Sequence, residues 1–156
     1  MYAFDIERPK TVADAVTALK ADEAQPLGGG QTLIPTLKSR LAAPSKLVSL
    51  SAIAEMTGIT HEGGTVRIGG ATTHGQIAKD LVDIYPGLAD LASHIGDPAV
   101  RNRGTIGGSV ANNDPAACYP AACLASGGTV TTNSREIAVD DFFQGMFDTA
   151  LEEGEI

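Results

Sequence analysis

Residues 103–117 read Arg103-Gly104-Thr105-Ile106-Gly107-Gly108-Ser109-Val110-Ala111-Asn112-Asn113-Asp114-Pro115-Ala116-Ala117, three glycines and five small polar side chains flanked by apolar residues. The segment restricts what the chain can fold into, because glycine lets one backbone approach another, or a ligand, closely and at positive φ. A second segment of the same kind, Pro26-Leu27-Gly28-Gly29-Gly30-Gln31-Thr32-Leu33-Ile34-Pro35, lies about seventy-five residues earlier. If the two glycine-rich turns converge, their amides and the Thr and Ser hydroxyls can grip one anion. Two grips of this size favour a dinucleotide over a lone phosphate.

Neither segment is the usual dinucleotide fingerprint. Gly28-Gly29-Gly30-Gln31-Thr32 has no glycine three positions on, and no Walker-type lysine follows either segment. Taken singly, a glycine cluster reads more readily as a tight turn in a small α+β domain. The pairing shifts the reading toward a ligand site.

A chain of 156 residues suits one domain or two small lobes. Thr11 as a cap, followed by Val12, Ala15, Val16 and Leu19 at helical spacing, predicts a first helix. Strands are expected at residues 25–27 and 46–50, with a helix over 33–39 that tolerates Pro35 in its first turn. Residues 1–55 thus read as a small β-α-β-α-β lobe. The Gly28 to Thr32 loop then lies between a strand and a helix N-terminus, where unpaired amides and the helix dipole favour an anion.

Residues 56–156 read as a second, α+β lobe. A hairpin pairs 57–61 with 65–69 around Glu62-Gly63-Gly64. Helices follow at 73–82 and at 86–95, the latter opened by Pro86. The glycine-rich turn of 103–117 comes next, then a helix over 118–126 and a hairpin of 129–132 with 136–139. Asp114-Pro115 and Asp140-Asp141 read as turn or helix caps. The last fifteen residues show no clear pattern, and Ile156 reads as the first residue of a strand, so a fragment or truncated product is expected.

The formal net charge of −8 argues against a nucleic-acid partner, which needs clustered Lys and Arg. Arg101 and Arg103 place the little positive charge available beside the 103–117 segment. The aromatic content is 4% with no Trp, so Val, Ile, Leu and Ala must fill the interior. Cys118 and Cys123 are five apart, a spacing that fits neither a zinc pair nor a CxxC motif, so no metal or iron–sulfur centre is expected. His61, His74 and His94 are scattered and are assigned surface or loop roles; no catalytic constellation emerges. The absence of a membrane span or leader pattern makes the cytoplasm the expected location.

The run Arg101-Asn102-Arg103-Gly104-Thr105-Ile106-Gly107-Gly108-Ser109, followed by Asp114-Pro115-Ala116-Ala117, resembles the FAD-binding medium subunit of the molybdenum hydroxylases, the carbon monoxide dehydrogenase and xanthine dehydrogenase family. The 27–35 loop and the opening Phe4-Asp5-Ile6-Glu7-Arg8-Pro9 agree in order, so the resemblance spans nearly the whole chain. It implies a two-lobed FAD-binding fold of the vanillyl-alcohol-oxidase-like (PCMH) type, α+β in class and C-terminally incomplete. By the family pattern Leu27, Gly28, Gly29, Gly30, Gln31, Thr32, Leu33 and Ile34 wrap the diphosphate, and Thr105, Ile106, Gly107, Gly108 and Ser109 close on it from the second lobe. Ile95 matches a position that touches the flavin or its nucleotide, and Asp114 belongs to the same motif. Cys118 stands where many relatives carry an acidic residue that bonds a ribose hydroxyl, and a thiol is a weaker acceptor. Losing that bond costs about 1 kcal/mol.

The resemblance further implies an FAD-dependent oxidoreductase subunit active in a complex. Its partners would be a molybdopterin-binding large subunit and a 2Fe-2S small subunit, whose electrons the flavin passes to an external acceptor. No side chain then needs to be an acid or base, since the cofactor carries the chemistry. Two other readings stand beside this one: a truncated, non-catalytic module with weak or no FAD binding, and a self-sufficient flavin reductase or oxidase of the same fold.

Overall fold

Three short parallel strands organise the first part of the chain in the computed structural model, which describes all 156 residues. They are β1 (Asp5–Glu7), β2 (Ala24–Leu27) and β3 (Lys46–Ser49), in the order β1-β3-β2. Ile6 and Gln25 flank Leu47 from either side. Parallel neighbours need crossover connections, and helices α1 (Val12–Ala18) and α2 (Leu33–Lys38) lie on them. The Thr11 hydroxyl caps α1 by accepting the Asp14 amide at 3.1 Å. Pro26 is tolerated because β2 is an edge strand, and Pro35 because it falls in the first turn of α2. Val48 packs with Ala15, Ala18, Leu19, Leu50 and Ile53 in a six-residue core.

A single 3-10 turn at Ala54–Met56 leads into the hairpin of β4 (Ile59–Glu62) and β5 (Thr65–Ile68). Gly63 and Gly64 close it at φ 57° and 81°, the pair of positive values that a two-residue turn of matching twist requires. Helices α3 (His74–Asp80), α4 (Pro86–Ser93), α5 (Pro98–Arg101), α6 (Ile106–Asn112) and α7 (Cys118–Ser126) follow. After them come β6 (Thr129–Thr131), β7 (Glu136–Ala138), α8 (Val139–Phe142), β8 (Phe143–Gly145) and β9 (Asp148–Thr149). A ten-residue core joins these elements, with Ile77 of α3, Leu88 of α4, Val110 of α6, Tyr119 of α7 and Phe142 of α8 among its members. No helix is long and apolar enough to cross a membrane.

The 103–117 segment departs from the expected turn: seven of its residues, Ile106–Asn112, are helix α6. Thr105 starts the helix, its hydroxyl accepting the Gly108 amide at 3.2 Å. Ile106 and Val110, one turn apart, bury the inner face. Burial and the cap outweigh the intrinsic cost of Gly107 and Gly108, about 1 kcal/mol each relative to Ala.

Of the last fifteen residues, Phe142 ends α8 and residues 143–149 carry the β8–β9 hairpin; Asp140 and Asp141, just before them, lie in the first turn of α8, whose cap position is Ala138. Asn113, left-handed at φ 43°, holds the hairpin by donating its side-chain amide to Gly145 O at 2.7 Å and Asp148 O at 2.9 Å. Ile156 is not in a strand. Its amide donates to Asn133 Oδ1 at 2.8 Å and its side chain packs against the first core. Arg135 clamps this end through Glu155, with Nε at 2.8 Å and Nη2 at 2.9 Å from the carboxylate. That bond, first among several, holds the Glu155 carboxyl well below the usual carboxylate range.

Candidate functional site

The loop from Gly28 to Thr32 leaves the end of β2 and enters α2. None of its five amides donates to a protein acceptor; only Gln31 bonds locally, through its side-chain Nε2 to Gly29 O at 3.1 Å. Thr32 occupies the cap position of α2 without making a side-chain cap. Gly30 turns the chain at φ 73°, where Leu27 and Ile34 close under it: a Cβ at Gly30 would lie 2.9 Å from Ile34 Cγ1 and 3.4 Å from Leu27 Cδ1. Leu33 and Ile34 form the first turn of the six-residue α2. A helix this short contributes little macrodipole, so the loop's row of free amides is the electrostatic feature. Such a row is a ready anion cradle.

The 103–117 segment lies against this loop. A Cβ at Gly28 would sit 2.9 Å from Thr105 Oγ1 and 3.8 Å from Gly108 Cα. One at Gly29 would be 2.0 Å from Arg103 O and 2.5 Å from Gly104 Cα. The two glycine-rich segments therefore meet, with no room for side chains between them. At the start of α6, however, the amides are already engaged. Ile106 donates to Thr72 O at 3.1 Å, Gly107 to Gly70 O at 2.9 Å, Gly108 to the Thr105 hydroxyl and Ser109 to Thr105 O at 3.1 Å. The Thr105 hydroxyl keeps its hydrogen available to donate, and the Thr105 amide has no protein acceptor.

A stretch that sequence reasoning did not single out thus completes the site. Residues 69–74 run beside 104–107, joined by the Thr73–Thr105 bridge and by the His74 amide donating to Gly104 O at 3.0 Å. Gly107 fits only because a Cβ there would lie 2.6 Å from Gly70 O. The glycines at 69 and 70 and the threonines at 72 and 73 were the available signal. His74 also corrects the expectation of surface or loop roles for all three histidines. It is buried, while His61 and His94 are exposed. Burial lowers its pKa from 6.5 to about 4.

The remaining candidates lie at the edges. Ile95 follows α4, packs against the ten-residue core, and accepts through its carbonyl from Arg101 Nη1 at 3.2 Å. Arg101 also donates to Gly96 O at 2.7 Å, so its guanidinium braces this turn. Asp114 follows α6 and accepts the Ala116 amide at 2.8 Å. Cys118 begins α7 with an exposed thiol.

Residues 2–156 match the protein family described as FAD binding domain in molybdopterin dehydrogenase. The carbon monoxide dehydrogenase medium chain of Afipia carboxidovorans is 43% identical over 99% of this chain and 56% of its own length. The solved carbon monoxide dehydrogenase from Hydrogenophaga pseudoflava superimposes with a TM-score of 0.94 at 39% identity, covering 99% of this chain and 57% of that one. Quinoline 2-oxidoreductase from Pseudomonas putida 86 gives 0.95 at 33% identity, with coverages of 99% and 57%. The chain therefore spans a little over half the length of these relatives. Because the family match runs through both glycine segments and the core beneath them, the chain belongs to the family of FAD-binding domains of molybdopterin dehydrogenases.

Proposed function

We propose that this chain is the FAD-gripping part of the medium subunit of a molybdenum hydroxylase, in which the flavin passes electrons from a 2Fe-2S partner to an external acceptor. The observation that carries the reading is the row of free amides from Gly28 to Thr32, roofed by Thr105 and Gly108 with no side chain between. Unpaired amides in a row suit a diphosphate in charge. With a net charge of −8 the protein has few cations to offer, so neutral dipoles are the means by which it would hold an anion.

The amides of Gly28, Gly29, Gly30, Gln31 and Thr32 would bind the diphosphate. On the facing side the free donors are the Thr105 hydroxyl and amide and the Ser109 hydroxyl. Ile106, Gly107 and Gly108 would act by keeping α6 close. Ile95 and Cys118 would meet the flavin or ribose ends, and Asp114 would hold the turn between α6 and α7. Bound FAD supplies the redox chemistry; these residues bind it, orient it and exclude water from the phosphates. We take residues 1–55 and 56–156 as the two lobes, a division supported by their separate cores.

The subunit reading, with its molybdopterin-binding large subunit and 2Fe-2S small subunit, rests on the medium-chain relatives. Titration of the purified chain with FAD, followed by flavin fluorescence, tests the grip; saturable binding that is lost in a Gly107 variant bearing a bulky side chain is the expected result. A folded protein that binds no FAD leaves the non-catalytic module as the better reading. Co-expression with candidate large and small subunits and co-purification of a ternary complex tests the partners.

A further inference from the structure

Beneath the glycine contact lies a ring pair that the cofactor reading does not use. His74 opens α3 with 5% exposure, and Tyr119 of α7 is fully buried; their ring centroids are 5.2 Å apart. Neither His74 Nδ1 nor the Tyr119 hydroxyl has a hydrogen-bond partner. Burying unpaired polar atoms is costly, and an apolar side chain of similar shape would avoid the cost. The two rings therefore call for a reason beyond core filling.

Their place in the stack supplies one. A Cβ at Gly104 would lie 2.6 Å from His74 Nε2 and 2.8 Å from Cδ2, so the imidazole rests directly against the Gly104 backbone. The backbone of the same residue holds Gly104 O through its amide at 3.0 Å. A Cβ at Gly29 would lie 2.5 Å from the Gly104 Cα. Tyr119, His74, Gly104 and Gly29 thus follow one another from the core to the loop, and any change in the height of the imidazole is passed on to Gly29.

We propose that His74 is a positioning residue for cofactor binding: its ring, backed by Tyr119, sets the level of the Arg103-Gly104 peptide and so the place where the Gly28 to Thr32 amides are presented. The proposal rests on the reading of that loop as the FAD grip. Burial keeps the imidazole uncharged at neutral pH, so it supports the peptide by shape and brings no charge under the site.

The test pairs a hole with a bump. His74→Ala removes the support, Gly104→Ala forces the peptide off it, and the double variant refills the space from the other side. Each protein is titrated with FAD, and the backbone amide chemical shifts of residues 28–32 are followed by NMR without FAD. Leu81→Ala, which opens a cavity in the same core away from the stack, controls for lost stability. Each single variant is expected to weaken FAD binding about tenfold or more, as small misplacements of positioning groups do, and to shift the amide resonances of the loop. The double variant should recover much of both, while Leu81→Ala lowers Tm and leaves both unchanged. Wild-type affinity in His74→Ala, or equal weakening by Leu81→Ala, would overturn the role of His74. Failure of the wild-type chain to bind FAD would instead overturn the loop reading, and unchanged loop amide shifts in His74→Ala would then still decide against His74.

Discussion

Replacing Gly29 with Ala puts one methyl group where the two glycine segments touch. The new Cβ would lie 2.0 Å from Arg103 O, 2.5 Å from Gly104 Cα and 2.6 Å from Arg103 C. All three are backbone atoms, so no side chain can swing away. Real Cβ contacts essentially never fall under 3.0 Å, so the segments must separate by at least about 1 Å. Misplacement on that scale costs about a hundredfold in interactions that depend on alignment, which is about 2.8 kcal/mol of binding. Overpacking strain of about 1–3 kcal/mol would lower Tm as well. Gly28→Ala is the milder comparison, since its Cβ would meet one side-chain oxygen, the capping Thr105 hydroxyl at 2.9 Å, and no backbone atom nearer than 3.8 Å. Isothermal titration with FAD should show a much larger Kd for Gly29→Ala than for Gly28→Ala. Equal affinities in the two variants would refute the claim that the backbone contact sets the amide row.

Further outcomes follow from contacts away from the loop itself. Gly107→Ala drives a methyl to 2.6 Å from Gly70 O and should destabilise the fold by about 1–3 kcal/mol, more than Gly108→Ala, whose nearest neighbour is the Thr105 hydroxyl at 3.0 Å; urea midpoints decide between them. Asn113→Ala loses two hydrogen bonds to hairpin carbonyls and puts Ala at φ 43°. The loss should be about 2–4 kcal/mol, and Asn113→Gly should recover only the backbone part in the same urea assay. His74 is held neutral in the fold, with its pKa lowered from 6.5 to about 4, so the unfolded chain binds the extra proton in that window. Its contribution is complete above pH 6.5 and falls as pH drops toward 4; stability measured across this range should be flatter in His74→Phe than in the wild type.

What could be read from the sequence was local. Thr11 and the apolar spacing after it gave away α1, the Gly63-Gly64 pair marked a hairpin, and Pro86 marked the start of α4. The Gly28 to Thr32 loop was placed correctly between β2 and α2 for the same reason, since strand, turn and helix signals sit within a dozen residues. The helix in residues 106–112 was hidden because two glycines in its first turn carry poor propensity, and what rescues it is burial of Ile106 and Val110 by distant elements. Asn113 looked like any turn residue, yet its side chain serves carbonyls of residues 145 and 148. Nothing near His74 in the sequence signals that Gly104 will lie on its ring. The use of the Ile106 and Gly107 amides by Thr72 and Gly70 is equally non-local, and it moves the main anion grip to the first loop.

The meeting of Gly29 with Gly104 joins residues seventy-five positions apart, and this separation has a kinetic consequence. Closing so long a loop is entropically expensive and is rewarded only when both cores are already formed. The contact should therefore be absent from the folding transition state. A ligand that bridges it will leave the folding rate nearly unchanged and act on the escape from the native state. For this chain, cofactor binding should appear as resistance to unfolding over time, in a slower unfolding limb, more than as faster acquisition of structure.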